Sequence, residues 1–508
     1  MAARPEPRPA GAEHLDVIVV GAGLSGVGAA WHLQTLCPDR TYAILEGREA
    51  MGGTWDLFRY PGVRSDSDMY TLGYRFRPWR DARAIADGPS IKAYIEETAR
   101  EAGIDRHVRY GHRVVRAEWS SDDARWTVDA AVGPASAPVR LTCSFLYACT
   151  GYYDYAQGHA PTWPGMAEFR GRIVHPQHWP ADLDHAGQRV VVIGSGATAV
   201  TLVPAMVEGP GAAAHVTMLQ RSPGYMAEQP TRDAVANALR RVLPARAAYA
   251  AARWKNVLRG MFYYGLARRR PGLFKRGLRD KARRALGPAY DLDTHFTPRY
   301  QPWDERLCVV PDGDLFRVIR AGRASVVTDH IEAFDARGLR LRSGARLDAD
   351  VVVTATGLNV QLLSGMTLVV DGAPVDLSRT MTYKGMMFSD VPNLAAAFGY
   401  TNASWTLKCD LVAEHVCRLL NHMRARGAVQ VTPRRDPTVA EQPVLDFTSG
   451  YVRRALPLLP KQGDRAPWRL DQNYVKDLVT LRLRRVDDPA LEFRAPASEG
   501  RPPADRSP

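Results

Sequence analysis

Cysteine is scarce here and badly placed for metal or dithiol chemistry: six residues in 508, none of them in a Cys-x-x-Cys pair. Cys37, Cys143, Cys149, Cys308, Cys409 and Cys417 lie too far apart for a zinc ribbon or for the dithiol of a flavin disulfide reductase. Reduced thiols of a cytoplasmic protein are the simplest account, and no metal is expected. No run of 18 apolar residues occurs, so no membrane-spanning helix is expected. The Arg-containing N-terminus has no apolar segment behind it and does not read as a secretory signal. Residues 1–14, and a Pro/Arg/Ser-rich tail over 494–508, read as disordered.

Acidic residues are too few to balance the basic ones, and the net charge is +13. A basic chain attracts nucleic acid, anionic lipid or anionic dinucleotides. No nucleic-acid-binding module accompanies the charge, and the excess of Arg over Lys, with abundant Ala, also follows from GC-rich coding. A nucleic-acid partner is therefore not expected. The length predicts two or three domains, and the 45% apolar and 24% charged shares are those of a globular chain.

What the chain does have is one fold signal, twice. The β-branched run over 15–20 leads into Gly21, Gly23, Ser25 and Gly26, then a helix over 27–36 and a second strand ending at Glu46. Gly21 permits a tight turn, Gly23 lets backbone approach a pyrophosphate, and Gly26 lets helix and strand pack closely. Glu46 stands where an acid bonds the two ribose hydroxyls of an adenosine. The pattern recurs at 189–193, followed by Gly194, Ser195, Gly196, Ala197 and Thr198, with a second strand over 215–219. There Arg221 and Ser222 follow Gln220, and no acid stands where Glu46 stood. An acid would repel a 2′-phosphate, whereas arginine can pair with one, so NADPH rather than NADH is expected. Two further strands close on Thr150-Gly151 and Thr356-Gly357, as where a chain crosses between dinucleotide domains. The expected fold class is α/β with two Rossmann-like domains, for FAD and NADPH, and a helical insertion.

Three stretches carry a resemblance to the Baeyer–Villiger flavoprotein monooxygenases. Phe169, Gly171, His175, Trp179 and Pro180 fit that family's FxGxxxHxxxWP fingerprint. Gly53, Thr54 and Trp55, with Tyr60-Pro61-Gly62 and Asp66, fit its GxWxxxxYPGxxxD pattern, whose aspartate lies beside the flavin. Residues 295–307 are similar to the segment that delivers the family's active-site arginine, here Arg306, although Glu305 replaces the usual lysine before it. Over 51–78, 175–204, 402–411 and 459–474 the chain is similar to a branch that also oxygenates thioamides.

The resemblance implies an FAD- and NADPH-dependent enzyme that inserts one atom of O2 into ketones, giving esters. It also implies S-oxygenation of sulfides and of thioamides such as ethionamide, with O2 activated at the flavin C4a carbon. Arg306 would stabilise the anions, Asp66 would orient and balance it, and His175 with Trp179 would act in the interdomain linker. Asp68 reads as solvated. The alternatives are an N-hydroxylating monooxygenase, an NADPH oxidase, or a flavin redox sensor without turnover.

The expected division is an FAD domain over 15–152 and 381–493, and an NADPH domain over 153–222 and 300–380. A helical insertion is expected over 223–299, without strands. Residues 400–417 are read as a helix opening near the flavin. The Arg-rich cluster over 268–284 is expected to support at most peripheral membrane contact, and a homo-oligomer remains open.

Overall fold

The computed structural model describes residues 11–445 and 447–496. The ends expected to be disordered thus lie largely outside the described residues. Where they enter them, His14 already begins a strand, Glu13 pairs with Arg109 at 2.6 Å, and a strand runs to Arg494.

Two sheets dominate. The first has nine strands, with His14–Val20 between Ala137–Ala148 and Tyr42–Leu45, all three parallel. Val17, Ile18 and Val19 are fully buried, as a strand covered on both faces requires. The second sheet has five parallel strands, ordered Ala324–Thr328, His215–Gln220, Arg189–Ile193, Val351–Thr354 and Arg172–Val174. In each sheet a glycine loop joins the central strand to a helix, Leu24–Leu36 or Ala197–Met206. Ligands of such sheets bind beyond the carboxyl ends of the strands, where both loops lie.

The chain returns to the first sheet earlier than 381, because Thr367–Val370 pairs in parallel with His112–Ser120. The insertion is not free of strands either. Met226–Gln229 pairs in parallel with Cys308–Pro311 and so fixes the register of the segment ahead of Cys308. The helices Ala234–Val242, Ala245–Arg269 and Pro271–Leu286 follow. The helix expected over 400–417 runs from Trp405 to Ala425 and packs along Leu24–Leu36.

Candidate active site

The first glycine loop is built by close backbone approach. Gly21 has φ +102°, and a Cβ there would lie 2.7 Å from the Cys149 carbonyl oxygen. A Cβ at Gly26 would lie 1.8 Å from the Gly21 carbonyl oxygen. Gly23 caps the helix without a side-chain hydrogen bond, leaving the first-turn N–H groups for an anion. The Gly52 N–H donates to Ala22 O at 3.0 Å, bringing Gly53, Thr54 and Trp55 against this loop. A Cβ at Gly53 would stand 3.2 Å from the Gly23 Cα. Thr54 Oγ1 lies 3.5 Å from the Tyr155 hydroxyl, and Trp55 packs part-buried on the core. The Ser25 hydroxyl accepts from Trp405 Nε1 at 2.8 Å, tying this helix to Trp405–Ala425.

Glu46 is buried, and its two oxygens accept from Ala22 N at 2.7 Å and Arg48 N at 2.9 Å. Burial pushes its carboxyl up from the ordinary range, opposed by those two N–H groups. Each oxygen keeps a lone pair for a ribose hydroxyl. This uncapped cradle beside an acid fits the adenosine diphosphate half of FAD.

The second loop repeats the design without the acid. A Cβ at Gly194 would lie 2.3 Å from the Ala355 carbonyl oxygen, whereas one at Gly196, the uncapped helix start, would meet only open space. The Ser195 hydroxyl donates to Ser222 O at 3.1 Å. Ala197 opens the helix, and Thr198 lies beside Tyr60 of the first domain. Gly62, φ +75°, also abuts this helix, where a Cβ would stand 2.6 Å from Ala205 Cβ. Arg221 and Ser222 are exposed at the strand's end. Burial pushes the Glu305 carboxyl up, while Arg453 and Arg221 draw it down, so Glu305 lies within electrostatic reach of Arg221.

Arg306 stands just ahead of Cys308–Pro311 on the wall of a largely apolar cavity of ≈ 110 Å³. One guanidinium Nη donates to the Tyr152 hydroxyl at 3.0 Å, and its Nε approaches the Tyr451 hydroxyl at 3.4 Å. Tyr152 stacks on Trp405, ring centroids 5.1 Å apart, and its hydroxyl meets that of Tyr153 at 2.6 Å. Burial pushes the Tyr152 phenol up, so it is protonated at neutral pH.

Asp66 lies within electrostatic reach of Arg306, whose hydrogen bonds among the described residues go to the two tyrosines. Asp66 reaches the guanidinium through its field. Burial pushes the Asp66 carboxyl up to about 6, against the pull of Arg306 and Arg64. Asp68 is half-buried rather than free in solvent. It caps the short helix Met69–Leu72, accepting from Thr71 N at 3.1 Å, and accepts from Asn256 at 2.9 Å. Tyr152, Tyr451 and Trp405 were not singled out from sequence, although Tyr152 directly follows the Thr150-Gly151 crossing.

The fingerprint forms an edge of the second sheet and its junction with the linkers. Phe169 is buried, and Gly171 admits the Asp350 carbonyl, which a Cβ would meet at 2.3 Å. His175 Nδ1 accepts from Gln177 N at 3.2 Å, and its Nε2 faces Gly357 O at 3.3 Å. The ring is therefore the neutral Nε2–H tautomer, in accord with burial pushing its pKa down. It also fills the space over Gly158, where a Cβ would stand 2.0 Å from Cε1. Trp179 packs part-buried on the second core beside Pro180. His178 turns outward to Ala156 O, and no described group of three His, Cys, Asp or Glu side chains is placed to hold a metal.

Two glycine cradles, each following a central parallel strand of its own sheet, define a two-dinucleotide flavoprotein. Family models agree: residues 19–84 match an NAD(P)-binding Rossmann-like domain, and residues 85–233 match flavin-binding monooxygenases. The chain is 56% identical over 491 residues to the FAD-containing monooxygenase EthA of Mycobacterium tuberculosis, covering 96% of this chain and 99% of that protein. It is 48% identical to a probable FAD-binding monooxygenase, AlmA, of Acinetobacter baylyi, covering 95% and 96%.

An NADP-bound steroid monooxygenase superposes with TM-score 0.69 at 23% identity, over 84% of this chain and 88% of that one. A cyclohexanone monooxygenase does so with TM-score 0.71 at 18% identity, over 95% and 100%. These two likenesses show the fold. The chain belongs to the FAD-containing monooxygenases.

Proposed function

We propose that this monooxygenase inserts oxygen into lipophilic ketones to give esters, and adds oxygen to the sulfur of sulfides and of thioamides such as ethionamide. The observation that carries this reading is Arg306, a cation that does not lose its proton, held by two tyrosines on an apolar cavity wall. Bound FAD, reduced by NADPH, supplies the oxygen atom activated from O2. The chain's own residues do the rest. Arg306 offers preformed positive charge where a carbonyl oxygen becomes an oxyanion. Tyr152 and Tyr451 fix the guanidinium plane, and Asp66, largely ionised at neutral pH, offsets part of its charge. Apolar walls such as Leu362, Phe398 and Leu445 keep water from the reacting atoms.

Arg221 would hold the 2′-phosphate of NADPH, with Gly194–Thr198 on its pyrophosphate. Gly21, Gly23, Gly26 and Glu46 would hold FAD. Product mass analysis under 18O2, across ketones, sulfides and amines, tests the reading. One 18O atom in an ester and in a sulfoxide is expected. Hydroxylamines alone, or hydrogen peroxide alone, would replace it with N-hydroxylation or NADPH oxidation.

A further inference from the structure

The chain's positive charge is not spread over its surface. Residues 234–286 hold fifteen Lys and Arg against one Asp, a net +14, while the whole chain is +13. Everything outside this insertion therefore sums to −1, and coding bias does not account for so local an excess. Arg259, Arg269, Arg270 and Arg276 are exposed and form no ion pair with any described residue.

The same helices also leave apolar side chains in water. The inner face of Ala245–Arg269 packs Ala248, Tyr249, Ala252 and Val257 into the protein. Its outer face presents Trp254, Leu258 and Phe262 at 42%, 56% and 65% exposure, one helical turn apart. The Trp254 ring lies 5.8 Å from that of Tyr474, where a helical segment begins that exposes Val475, Val479 and Leu483 at the same spacing. That segment follows Gln472, which lines the active-site cavity and accepts from Thr401 N at 3.1 Å. The neighbouring stretch 456–460 puts Leu459 and Pro460 on the cavity and Leu458 in solvent at 69% exposure.

We propose that this face, the outer side of Ala245–Arg269 with its flanking arginines, seats on an anionic lipid bilayer and sets the cavity's outer wall beside it. Apolar rings and leucines enter the acyl boundary while arginines pair with lipid phosphates, as amphipathic interfacial helices do. A nucleic acid would match the charge but leave Trp254, Leu258 and Phe262 in water. A second copy related by a twofold axis would set +14 against +14. No described helix is long and apolar enough to cross a membrane, so the contact is one of lying on the surface.

Flotation of the FAD-loaded full chain on vesicles tests this, using phosphatidylcholine alone, phosphatidylglycerol alone and their equal mixture, at low and high salt. Binding is expected only with phosphatidylglycerol, weakened but not abolished by salt. Arg269→Gln with Arg270→Gln should weaken low-salt partitioning about tenfold or more. Leu258→Gln with Phe262→Gln should remove the salt-resistant part. Both variants should retain bound FAD and turnover of a water-miscible ketone, which shows that they fold. The proposal is overturned if wild type ignores phosphatidylglycerol vesicles, or binds phosphatidylcholine equally. It is also overturned if RNA displaces the vesicles, or if Leu258 and Phe262 serve instead a self-association, seen by light scattering, that their substitution abolishes.

Discussion

The Tyr152 hydroxyl accepts from the Arg306 guanidinium at 3.0 Å, joining the crossing after Thr150-Gly151 to a segment more than 150 residues further on. The contact gives Arg306 an orientation that its own flexible stem does not. Arg306→Ala should bind FAD, since the cradle of Gly21, Gly23, Gly26 and Glu46 is untouched. It should lose about 10²–10³-fold in oxygenation, as when one preorganised oxyanion donor is removed. Arg306→Lys should recover little, lacking the planar fork. Tyr152→Phe should cost about tenfold, and far less in an Arg306→Ala background. Ester and hydrogen peroxide yields, measured after anaerobic reduction and readmission of O2, check both.

Asp66 should set an acid limb. Its carboxyl is pushed up to about 6 by burial, against Arg306 and Arg64. Oxygenation that relies on the carboxylate should therefore fall as pH drops through about 6, and Asp66→Asn should lack that limb. Stability carries the opposite sign. A folded-state pKa raised above the ordinary carboxyl value contributes stability that is present below that ordinary value and lost as pH rises through about 6. Asp66→Asn should thus raise Tm at pH 8 and leave it unchanged at pH 4. A Tm difference that does not vary with pH would remove Asp66 as the titrating group.

Both glycine loops were legible because their requirements are local: a strand, a turn only glycine can make, and a helix. Met226–Gln229 was not, since half of it is polar and its partner strand lies some eighty residues away. The length of Trp405–Ala425 was hidden by Asp410 and His415, which are buried polar residues held by tertiary partners. Asp410 meets His32 at 2.8 Å and Arg75 at 3.1 Å, while the His415 ring bonds Leu481 O at 2.7 Å. Tyr451 and Trp405 reach the site only through tertiary packing, so no motif marks them.

Coenzyme preference should depend on Arg221 and Glu305 with opposite signs. Arg221→Ala should reduce the ratio of kcat/KM for NADPH over NADH by about tenfold to a hundredfold, the worth of a charge-assisted phosphate pair. Glu305 sits within the field of Arg221 and competes with a phosphate for it. Glu305→Gln should therefore raise kcat/KM for NADPH by about threefold at low salt, with less gain at high salt. An unchanged ratio in Arg221→Ala would locate phosphate recognition elsewhere.

His175 should control coupling rather than cofactor affinity. Its neutral ring bridges the two domain crossings, facing Gly357 O through Nε2 and lying on Gly158. His175→Ala removes that bridge and strands the Gln177 N–H, which the ring now satisfies through Nδ1. The variant should keep FAD and oxidise NADPH, but direct more of that oxidation to hydrogen peroxide because the domains no longer hold one mutual position. Gly158→Ala attacks the same contact from the other side, since its Cβ would stand 2.0 Å from the ring. Its effect on the ester-to-peroxide ratio should resemble that of His175→Ala, and the double variant should be no worse than either single one. Full additivity of the two, or a changed FAD content with an unchanged product ratio, would show that His175 supports the fold alone.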